Sequence, residues 1–292
     1  MTIAIYGKSF GESFIPSIQL LFDTLAKHQV NIVVYRPFYT YLKKQIGLAG
    51  KYDTFFKYED REQAFDLLLS IGGDGTILET ITIVRDSETP VLGINTGRLG
   101  FLSHVSKNDI EQCVEAIVNQ NYRLDKRSLI LLETPTHSFG IENFALNELT
   151  ISKKDSFSML TIHTYINEHY LNSYWSDGLI ISTPTGSTAY NLSCGGPILV
   201  PGSENFILTP ISAHNLTVRP IVVDDKSTIR LRVEGRGSQF LATLDARSES
   251  IACETELTIR RAPFQINLVQ LPNQNFHQTL RNKMMWGIDK RN

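Results

Sequence analysis

The sequence predicts a parallel-sheet α/β domain followed by an all-β domain. Strand-like apolar runs alternate with helical stripes in the first third of the chain, which is typical of a parallel sheet covered on both faces. From about residue 122, short runs with a period of two residues follow closely, as in a β-sandwich or a curled antiparallel sheet. A length of 292 residues is sufficient for two hydrophobic cores.

The elements of the first domain follow one another in a regular order. Its predicted strands are four apolar runs, at residues 3–6, 30–35, 67–71 and 91–94. Helical apolar stripes predict a first helix through Ile15, Ile18, Leu21, Phe22 and Leu25, and a later one through Ile110, Val114 and Ile117. We therefore expect a Rossmann-like sheet in a domain that comprises residues 1–121 and 275–292.

The second domain, residues 122–274, is predicted to consist of short strands between clusters of Pro, Gly, Asn and Ser. These strands are at residues 129–132, 149–151, 159–166, 179–181, 221–223, 229–233, 257–259 and 264–269. Residues 278–286 then predict a helix that returns to the first domain. This organisation predicts a ligand site between the two domains.

Composition argues against several classes of protein. The apolar share of 42% and the charged share of 20% are ordinary globular values, and no apolar run approaches the roughly 20 residues of a membrane helix. A formal net charge of −2 provides no basic field for nucleic acid. Three cysteines without CxxC spacing, and an N-terminus that enters a strand directly, favour a cytoplasmic location.

The most informative local feature is a glycine-rich turn, Gly72-Gly73-Asp74-Gly75-Thr76, between a buried-type strand and a helix. Thr76 and Glu79 have the spacing of a capping box, which predicts that the helix begins here. Glycines let the backbone approach a bulky anion, and the N–H groups of a helix N-terminus favour phosphate. We therefore predict a phosphate site at this turn.

Asp74 in such a turn requires an explanation, because its charge repels phosphate. It can accept a proton from an attacking hydroxyl, or it can help to hold the cation that offsets the phosphate charge. It can also be an ordinary turn residue, for which aspartate is common. These alternatives stay open on local sequence alone.

Other phosphate and metal motifs are lacking. The tripeptide Gly7-Lys8-Ser9 resembles the end of a P-loop, but Thr2 stands where the first glycine would be required. No GxGxxG follows the first strand, and no HExxH motif or Cys/His cluster predicts a metal site.

Three later segments add independent signals. Residues 95–102 follow another strand end, so Asn95 is expected beside the first turn at the carboxyl edge of the sheet. Asn147 and Glu148 stand at the head of a strand, where an amide can read a base edge and a carboxylate can bind a ribose diol. Residues 182–197 combine hydroxyls, glycines and one aromatic ring in a loop that suits a flat, polar ligand.

Taken together, these motifs resemble the ATP-NAD kinase family. The resemblance rests on residues 72–76, 95–102, 147–148, 177–197, 212–216 and 219–220, which occur in the family's order. Of these, the long segment from Asp177 to Pro197 is the specific one. The resemblance implies transfer of a phosphoryl group from ATP, with Mg²⁺, to the adenosine 2′-hydroxyl of NAD. It also implies a homodimer or homotetramer. From composition and charge we expect no nucleic-acid or membrane partner.

The resemblance implies a role for each matching residue. Asp74 matches the proton acceptor, and Asn147 with Glu148 matches the pair that binds the adenosine half of NAD. Asp177 matches the acidic residue that binds the other end of the dinucleotide. The phosphate loop corresponds to Gly72, Gly73, Gly75 and Thr76. The remaining implied ligand contacts are Asn95, Thr185, Thr188, Ala189, Tyr190, Asn191, Ser193, Ser212 and His214.

Two positions depart from the family pattern. Trp175 stands where many bacterial members have a basic residue, and the family's Asp-Gly-Gln is here Asp245-Ala246-Arg247. We expect Asp245 to contact the ligand, and Arg247 to replace the glutamine as a donor to it, within the chain or from a neighbouring subunit.

Two other functions are compatible with part of the pattern. Diacylglycerol-type lipid kinases have a turn similar to residues 72–76, but the sequence has no basic amphipathic helix for a membrane surface. A non-catalytic dinucleotide sensor would keep the pocket without turnover. The intact glycine turn and Asp74 argue against that reading.

Overall fold

The computed structural model describes residues 1–57, 64–154, 159–272 and 274–285, and the chain forms two compact units. The first unit comprises residues 1–126 and 266–292, and the second comprises residues 127–265. The helices are α1 (Ile15–Lys27), α2 (Arg36–Ile46), α3 (Asp74–Val84), α4 (Ile110–Val118), α5 (Tyr190–Ser193) and α6 (Phe276–Met284).

The strands are short, as expected for a chain rich in turn residues. In chain order they are β1 (Thr2–Gly7), β2 (Asn31–Tyr35), β3 (Asp53–Phe55), β4 (Leu67–Ile71), β5 (Val91–Ile94), β6 (Arg123–Arg127), β7 (Ile130–Glu133), β8 (Phe144–Ala145), β9 (Glu148–Lys153), β10 (Leu160–Ile166), β11 (His169–Ser176), β12 (Gly178–Ser182), β13 (Asn205–Ile211), β14 (Ile221–Asp224), β15 (Ile229–Gly235), β16 (Gln239–Leu244), β17 (Arg247–Ala252), β18 (Glu256–Arg261) and β19 (Ile266–Gln270).

The first unit contains a seven-stranded sheet in the order β3-β2-β1-β4-β5-β19-β6. The pairs from β3 to β5 are parallel, and β19 pairs with β5 in the same sense. The strand order reverses between β1 and β4, so the loops after these strands flank a topological switch point. Ligands of open α/β sheets bind at such points.

Buried strands and helical stripes supply the core of the first unit. All five residues of β4 are buried, which explains the continuous apolar run in the sequence. The α1 stripe packs on the same cluster through Ile18, Leu21 and Leu25, each with 0% exposure. The predicted α/β domain is therefore confirmed.

The second unit is made of two antiparallel sheets. Their orders are β11-β10-β15-β18-β7-β8 and β14-β13-β12-β9-β16-β17. Alternate residues of each sheet enter one shared core, for example Ile162 on β10 and Ile181 on β12. Side chains that alternate between core and exterior are the signature of a sandwich, and the predicted all-β fold is confirmed.

The predicted C-terminal helix is present as α6, and it belongs to the first unit. Lys283 donates a hydrogen bond to the carbonyl oxygen of Leu99 in that unit. The predicted helix included Trp286, which lies outside the described residues.

The capping box predicted at Thr76 and Glu79 is wrong. Helix α3 begins at Asp74 with Gly73 as its N-cap, and no side chain caps it. Glu79 instead accepts hydrogen bonds from the Tyr6 hydroxyl and the Lys8 ammonium on β1 and its following loop. The Glu79 carboxylate therefore binds Tyr6 and Lys8 in place of the backbone N–H group that it would accept in a capping box.

Within the part of the chain that the structure describes, no helix has the length and apolar character needed to cross a membrane.

The sandwich core makes a direct stability prediction. Leu179 is 0% exposed, whereas Leu216 is 88% exposed. Leu179→Ala should lower the free energy of unfolding by about 2–5 kcal/mol, because it leaves a cavity in the core. Leu216→Ala is the matched control and should stay within about 0.5 kcal/mol of the parent chain. Equal midpoints for the two variants in urea unfolding would contradict this assignment of the core.

Candidate functional site

The Asp74 carboxylate is fixed by three consecutive backbone amides of the loop after β5. Oδ2 accepts a hydrogen bond from the N–H of Phe101 at 2.7 Å, and Oδ1 accepts from Leu102 at 3.0 Å and Ser103 at 2.9 Å. Ser103 also donates its hydroxyl to the carbonyl oxygen of Gly72. The predicted proximity of the two loops is thereby confirmed, and the side chain has one defined orientation.

Two glycines are required by this close approach. A Cβ on Gly100 would lie 1.9 Å from the Asp74 Oδ1, and a Cβ on Gly72 would lie 2.2 Å from the Thr76 hydroxyl oxygen. Gly72 also has a φ of +156°, which side chains rarely adopt. Gly73 and Gly75 are different, because a Cβ on either would meet nothing within 4 Å. Their backbone is therefore open to a ligand.

The loop after β5 has its own internal order. The Asn95 side chain is buried, accepts a hydrogen bond from the N–H of Gly97 at 2.6 Å and donates to the carbonyl oxygen of Arg98. Its amide thus shapes the loop that reaches Asp74. Thr76 is also buried, in the first turn of α3.

In the second unit, Asn147 and Glu148 lie where β9 begins. The Glu148 Oε2 and the Asn147 Oδ1 are buried and have no hydrogen-bond partner among the described residues. Burial, reinforced by the nearby Asp245 carboxylate, raises the pKa of Glu148 to about 8. The raised pKa favours the protonated form of Glu148, which can donate a hydrogen bond to a ligand as well as accept one.

Asp245 contacts the backbone of this pair. Its carboxylate accepts hydrogen bonds from the N–H groups of Leu146 at 2.9 Å, Asn147 at 2.8 Å and Glu148 at 3.3 Å. Burial raises the pKa of Asp245, while the three N–H groups and the charge of Arg247 act in the opposite direction. The predicted ligand contact through Asp245 stays a prediction, since its oxygens are used inside the chain.

Arg247 is also engaged within its own chain. Its guanidinium donates to the carbonyl oxygens of Glu142 and Phe144 and lies 5.4 Å from the centre of the Phe144 ring. Burial lowers its pKa. A contact with a ligand stays a prediction for Arg247 as well.

The polar loop after β12 packs against the backbone of Asn147. Thr183 donates its N–H to the carbonyl oxygen of Asn147 at 2.9 Å and its hydroxyl to that of Leu146 at 2.6 Å. A Cβ on Gly186 would lie 2.2 Å from the Asn147 carbonyl oxygen, so only glycine allows this contact. The Thr185 hydroxyl accepts a hydrogen bond from Arg127.

Asn191 orders the rest of this loop. It is fully buried, donates to the carbonyl oxygens of Ser187 and Pro197, and accepts a hydrogen bond from the Thr209 hydroxyl at 2.6 Å. These bonds hold the loop on the sheet face opposite the sandwich core. The predicted residues Thr188 and Ala189 are half-buried there, while Tyr190 and Ser193 are exposed.

Asp177 lies at the other end of β12. It forms an ion pair with Lys153, with 2.7 Å between Nζ and Oδ1. The rings of Trp175 and His214 contact each other nearby, with centroids 5.2 Å apart. The backbone N–H of His214 also donates a hydrogen bond to the carbonyl oxygen of Trp175. Ser212 is exposed at the end of β13, which pairs with this part of β12.

The predicted residues of the second unit therefore form two groups at opposite ends of one strand. Glu148 pairs with Ser182, and Gly178 pairs with Ile211. Five residues of extended strand span roughly 16 Å, which suits the two halves of a dinucleotide. Tyr190 is the first residue of α5. Burial chiefly raises its pKa, the neighbouring Cys194 adds to this effect, and the charge of Asp177 contributes least.

Several parts of the site have no clear sequence signal. The requirement for Gly100 follows from a contact with a residue 26 positions earlier, and Lys153 reaches Asp177 across paired strands. In the sequence, only the two glycines at positions 97 and 100 indicate that this loop makes a close contact. The same limit applies to Trp175, whose partner His214 follows another strand.

Among the described residues, neither a group of metal ligands nor the cavity beside α4 and α6 involves the predicted site residues. In residues 1–57, 64–154, 159–272 and 274–285, no three carboxylate, imidazole or thiol side chains group as metal ligands. A cavity of about 550 Å³ is lined by α4 and α6, and includes His104, Gln112 and Gln278. No predicted site residue lines it.

The fold and these geometries define a class of protein. A parallel sheet with a glycine-rich turn at its switch point is typical of α/β proteins that bind phosphate-bearing ligands. Family models for the ATP-NAD kinase N-terminal domain and the ATP-NAD kinase C-terminal domain match residues 21–122 and 146–271. The chain belongs to the ATP-NAD kinase family, and the family predicted from the motifs is confirmed.

Similar proteins support this assignment over the full length. The chain is 46% identical to an NAD kinase of Flavobacterium psychrophilum and 44% identical to one of Bacteroides fragilis, with 100% of both chains covered in each case. Its fold is similar to the crystal structure of yeast NADH kinase complexed with NADH (TM-score 0.88, 21% identity, 99% of this chain and 89% of that chain). An NAD kinase from Archaeoglobus fulgidus in complex with ATP is also similar (TM-score 0.76, 25% identity, 98% and 99%).

Gly100→Ala should lower activity by displacing the Asp74 carboxylate, because the added Cβ would lie 1.9 Å from Oδ1. Because Asp74 is the predicted proton acceptor, we expect turnover to fall by about 10²-fold, the usual cost of misplacing such a group by about 1 Å. Gly11→Ala is the control, since Gly11 has a φ of −71° and open space around its Cβ position. Normal turnover in Gly100→Ala, measured by steady-state kinetics, would show that Asp74 does not need this orientation.

Glu148 should make stability depend on pH. Its pKa is raised from 4.5 to about 8 in the folded chain, so the folded state binds a proton that the unfolded chain releases. This contribution is complete below about pH 4.5 and is lost as the pH rises through about 8. The free energy of unfolding should therefore fall with rising pH by up to about 1.4 kcal/mol per unit more in the parent chain than in Glu148→Gln. Parallel pH profiles of urea unfolding would disprove the raised pKa.

Proposed function

We propose that this chain transfers the γ-phosphoryl group of ATP to the adenosine 2′-hydroxyl of NAD, which gives NADP, with Asp74 as the general base. The observation that carries the assignment of the base is the carboxylate held in one orientation at the switch point of the parallel sheet. Family membership and full-length relatives named NAD kinase support the reaction itself.

The hydrogen bonds of Asp74 distinguish its two oxygens. Each carboxylate oxygen has two lone pairs. Oδ1 accepts two backbone N–H groups, from Leu102 and Ser103, whereas Oδ2 accepts one, from Phe101. Within the described contacts, Oδ2 thus retains a lone pair for the proton of an attacking hydroxyl. We assign Oδ2 as the proton-accepting atom.

The second unit supplies groups for the dinucleotide. Asn147 and protonated Glu148 offer unpaired polar atoms to the adenosine half, and Asp177 lies about one strand length away for the other half. The loop that contains Thr188, Ala189, Tyr190 and Ser193 is ordered by the buried Asn191 and offers further contacts for the dinucleotide. Binding at both ends would orient the 2′-hydroxyl for attack, and such orientation is a major source of rate acceleration.

The open backbone at Gly73 and Gly75 suits the phosphates of ATP. Both glycines have space for a ligand, and they flank the N-terminus of α3, whose N–H groups favour anions. Mg²⁺ would enter bound to the triphosphate, as part of the substrate. We also propose a cytoplasmic location and a homodimer or homotetramer, as the family resemblance implies.

The reaction is tested by incubating the purified chain with NAD, ATP and Mg²⁺ and measuring NADP with a dehydrogenase that accepts only NADP. NAD without its adenosine 2′-hydroxyl should give no product, since the acceptor atom is missing. Phosphorylation of diacylglycerol in place of NAD would favour the lipid kinase. NAD binding in calorimetry without NADP formation would favour a sensor.

Asp74→Asn should lower turnover by about 10²–10⁴-fold, the usual contribution of a general base, while NAD still binds. The amide cannot take the proton of the hydroxyl, although its size is nearly the same. Turnover should be followed with saturating substrates, and NAD binding by calorimetry. Near-normal turnover in this variant would remove Asp74 from the role of base.

A further inference from the structure

The hairpin formed by β16 and β17 makes hydrogen bonds to both N–H groups and carbonyl oxygens of the segment that carries Asn147 and Glu148. We propose that Asp245-Ala246-Arg247, the turn with the first residue of β17, is a clamp that positions the Asn147 and Glu148 side chains for the dinucleotide. The proposal rests on the function proposed above. In this role Asp245 and Arg247 are positioning residues that act through residues 142–148. We call Asp245, Ala246 and Arg247 the 245–247 clamp.

The clamp uses opposite charges on opposite backbone groups. The Asp245 carboxylate accepts the N–H groups of Leu146, Asn147 and Glu148, and the Arg247 guanidinium donates to the carbonyl oxygens of Glu142 and Phe144. Hydrogen bonds with one charged partner are roughly twice as strong as neutral ones. Five backbone groups of a seven-residue segment are therefore bound by two side chains of one turn.

The backbone of the turn is adapted to this contact. Asp245 has a φ of +53°, a conformation that side chains other than those of Asp and Asn adopt with difficulty. Its own N–H donates to the carbonyl oxygen of Glu148 at 3.1 Å, which closes a ring of contacts around that residue. The strain is offset by a carboxylate that accepts three N–H groups.

The clamp also leaves the functional atoms of the pair unused. Its hydrogen bonds go to the main chain of residues 142–148, while the Glu148 Oε2 and the Asn147 Oδ1 have no partner among the described residues. The clamp thus fixes the backbone and keeps the side chains available. Arg247 provides the donors for this contact in the position of the family's glutamine.

Asp245→Asn tests the clamp with little change in shape. Asn tolerates the φ of +53°, but one oxygen becomes an NH₂ group that faces backbone N–H donors. We expect the KM for NAD to rise about 10- to 100-fold, with a smaller change in kcat and no comparable change in the KM for ATP. Hydrogen exchange at the amides of residues 146–148 should become faster in the full chain. Asp224→Asn is the control, because Asp224 caps an exposed turn through the N–H of Lys226.

Arg247 gives a second, graded test. Arg247→Met should raise the KM for NAD. Arg247→Lys should raise it less, because the ammonium group keeps the positive charge, but it should not match the parent chain, because it lacks the planar pair of donors of a guanidinium. If these variants unfold faster but keep the same KM for NAD, residues 245–247 contribute only to stability, and the proposed clamp is wrong. A raised KM with unchanged exchange at residues 146–148 would also overturn it, in favour of direct ligand contact. If the parent chain forms no NADP, the proposed function fails, and the exchange measurement still decides the clamp.

Discussion

Among the described residues, each unit contains an aspartate carboxylate that accepts three consecutive backbone N–H groups, and the candidate site of that unit is built around it. Asp74 binds the amides of residues 101–103, and Asp245 binds those of residues 146–148. In both cases one oxygen accepts two N–H groups and the other accepts one. Charge-assisted bonds of this kind fix two chain segments relative to each other, and they satisfy amides that would otherwise be costly to bury.

This arrangement determines which residues the neighbouring positions tolerate. The carboxylate of Asp74 leaves no space for a side chain at Gly100, and the Thr76 hydroxyl leaves none at Gly72. Gly73 and Gly75 face open space, so their lack of a side chain serves access to the backbone instead. The glycines of this short motif are thus required for two different physical reasons, close packing at one position and access to the backbone at the others.

The two carboxylates differ in what they make possible. Asp74 keeps an oxygen with a free lone pair beside the glycine turn, which suits a proton acceptor. Asp245 is consumed by the backbone, but its charge adds to the effect of burial on Glu148 and raises the pKa of that residue to about 8. Protonation of Glu148, beside Asn147, would give this pair both donors and acceptors for the proposed dinucleotide ligand.

The sequence by itself determined the fold class of each domain, many of the strands, and the family, because these depend on local periodicity and on short motifs. The predicted strands did not include β13 or β16. The sequence correctly predicted a strand at residues 67–71 and the proximity of the segment after β5 to the glycine-rich turn. It did not reveal β17, whose polar residues at 248–250 have no apolar alternation, or the true partners of Glu79. It also gave no sign that Asp245 and Arg247 bind the backbone 97 to 105 positions away. Only the tertiary structure decides such contacts, since they depend on which strands become neighbours, and a hydrogen bond between distant residues has no signature in either residue alone.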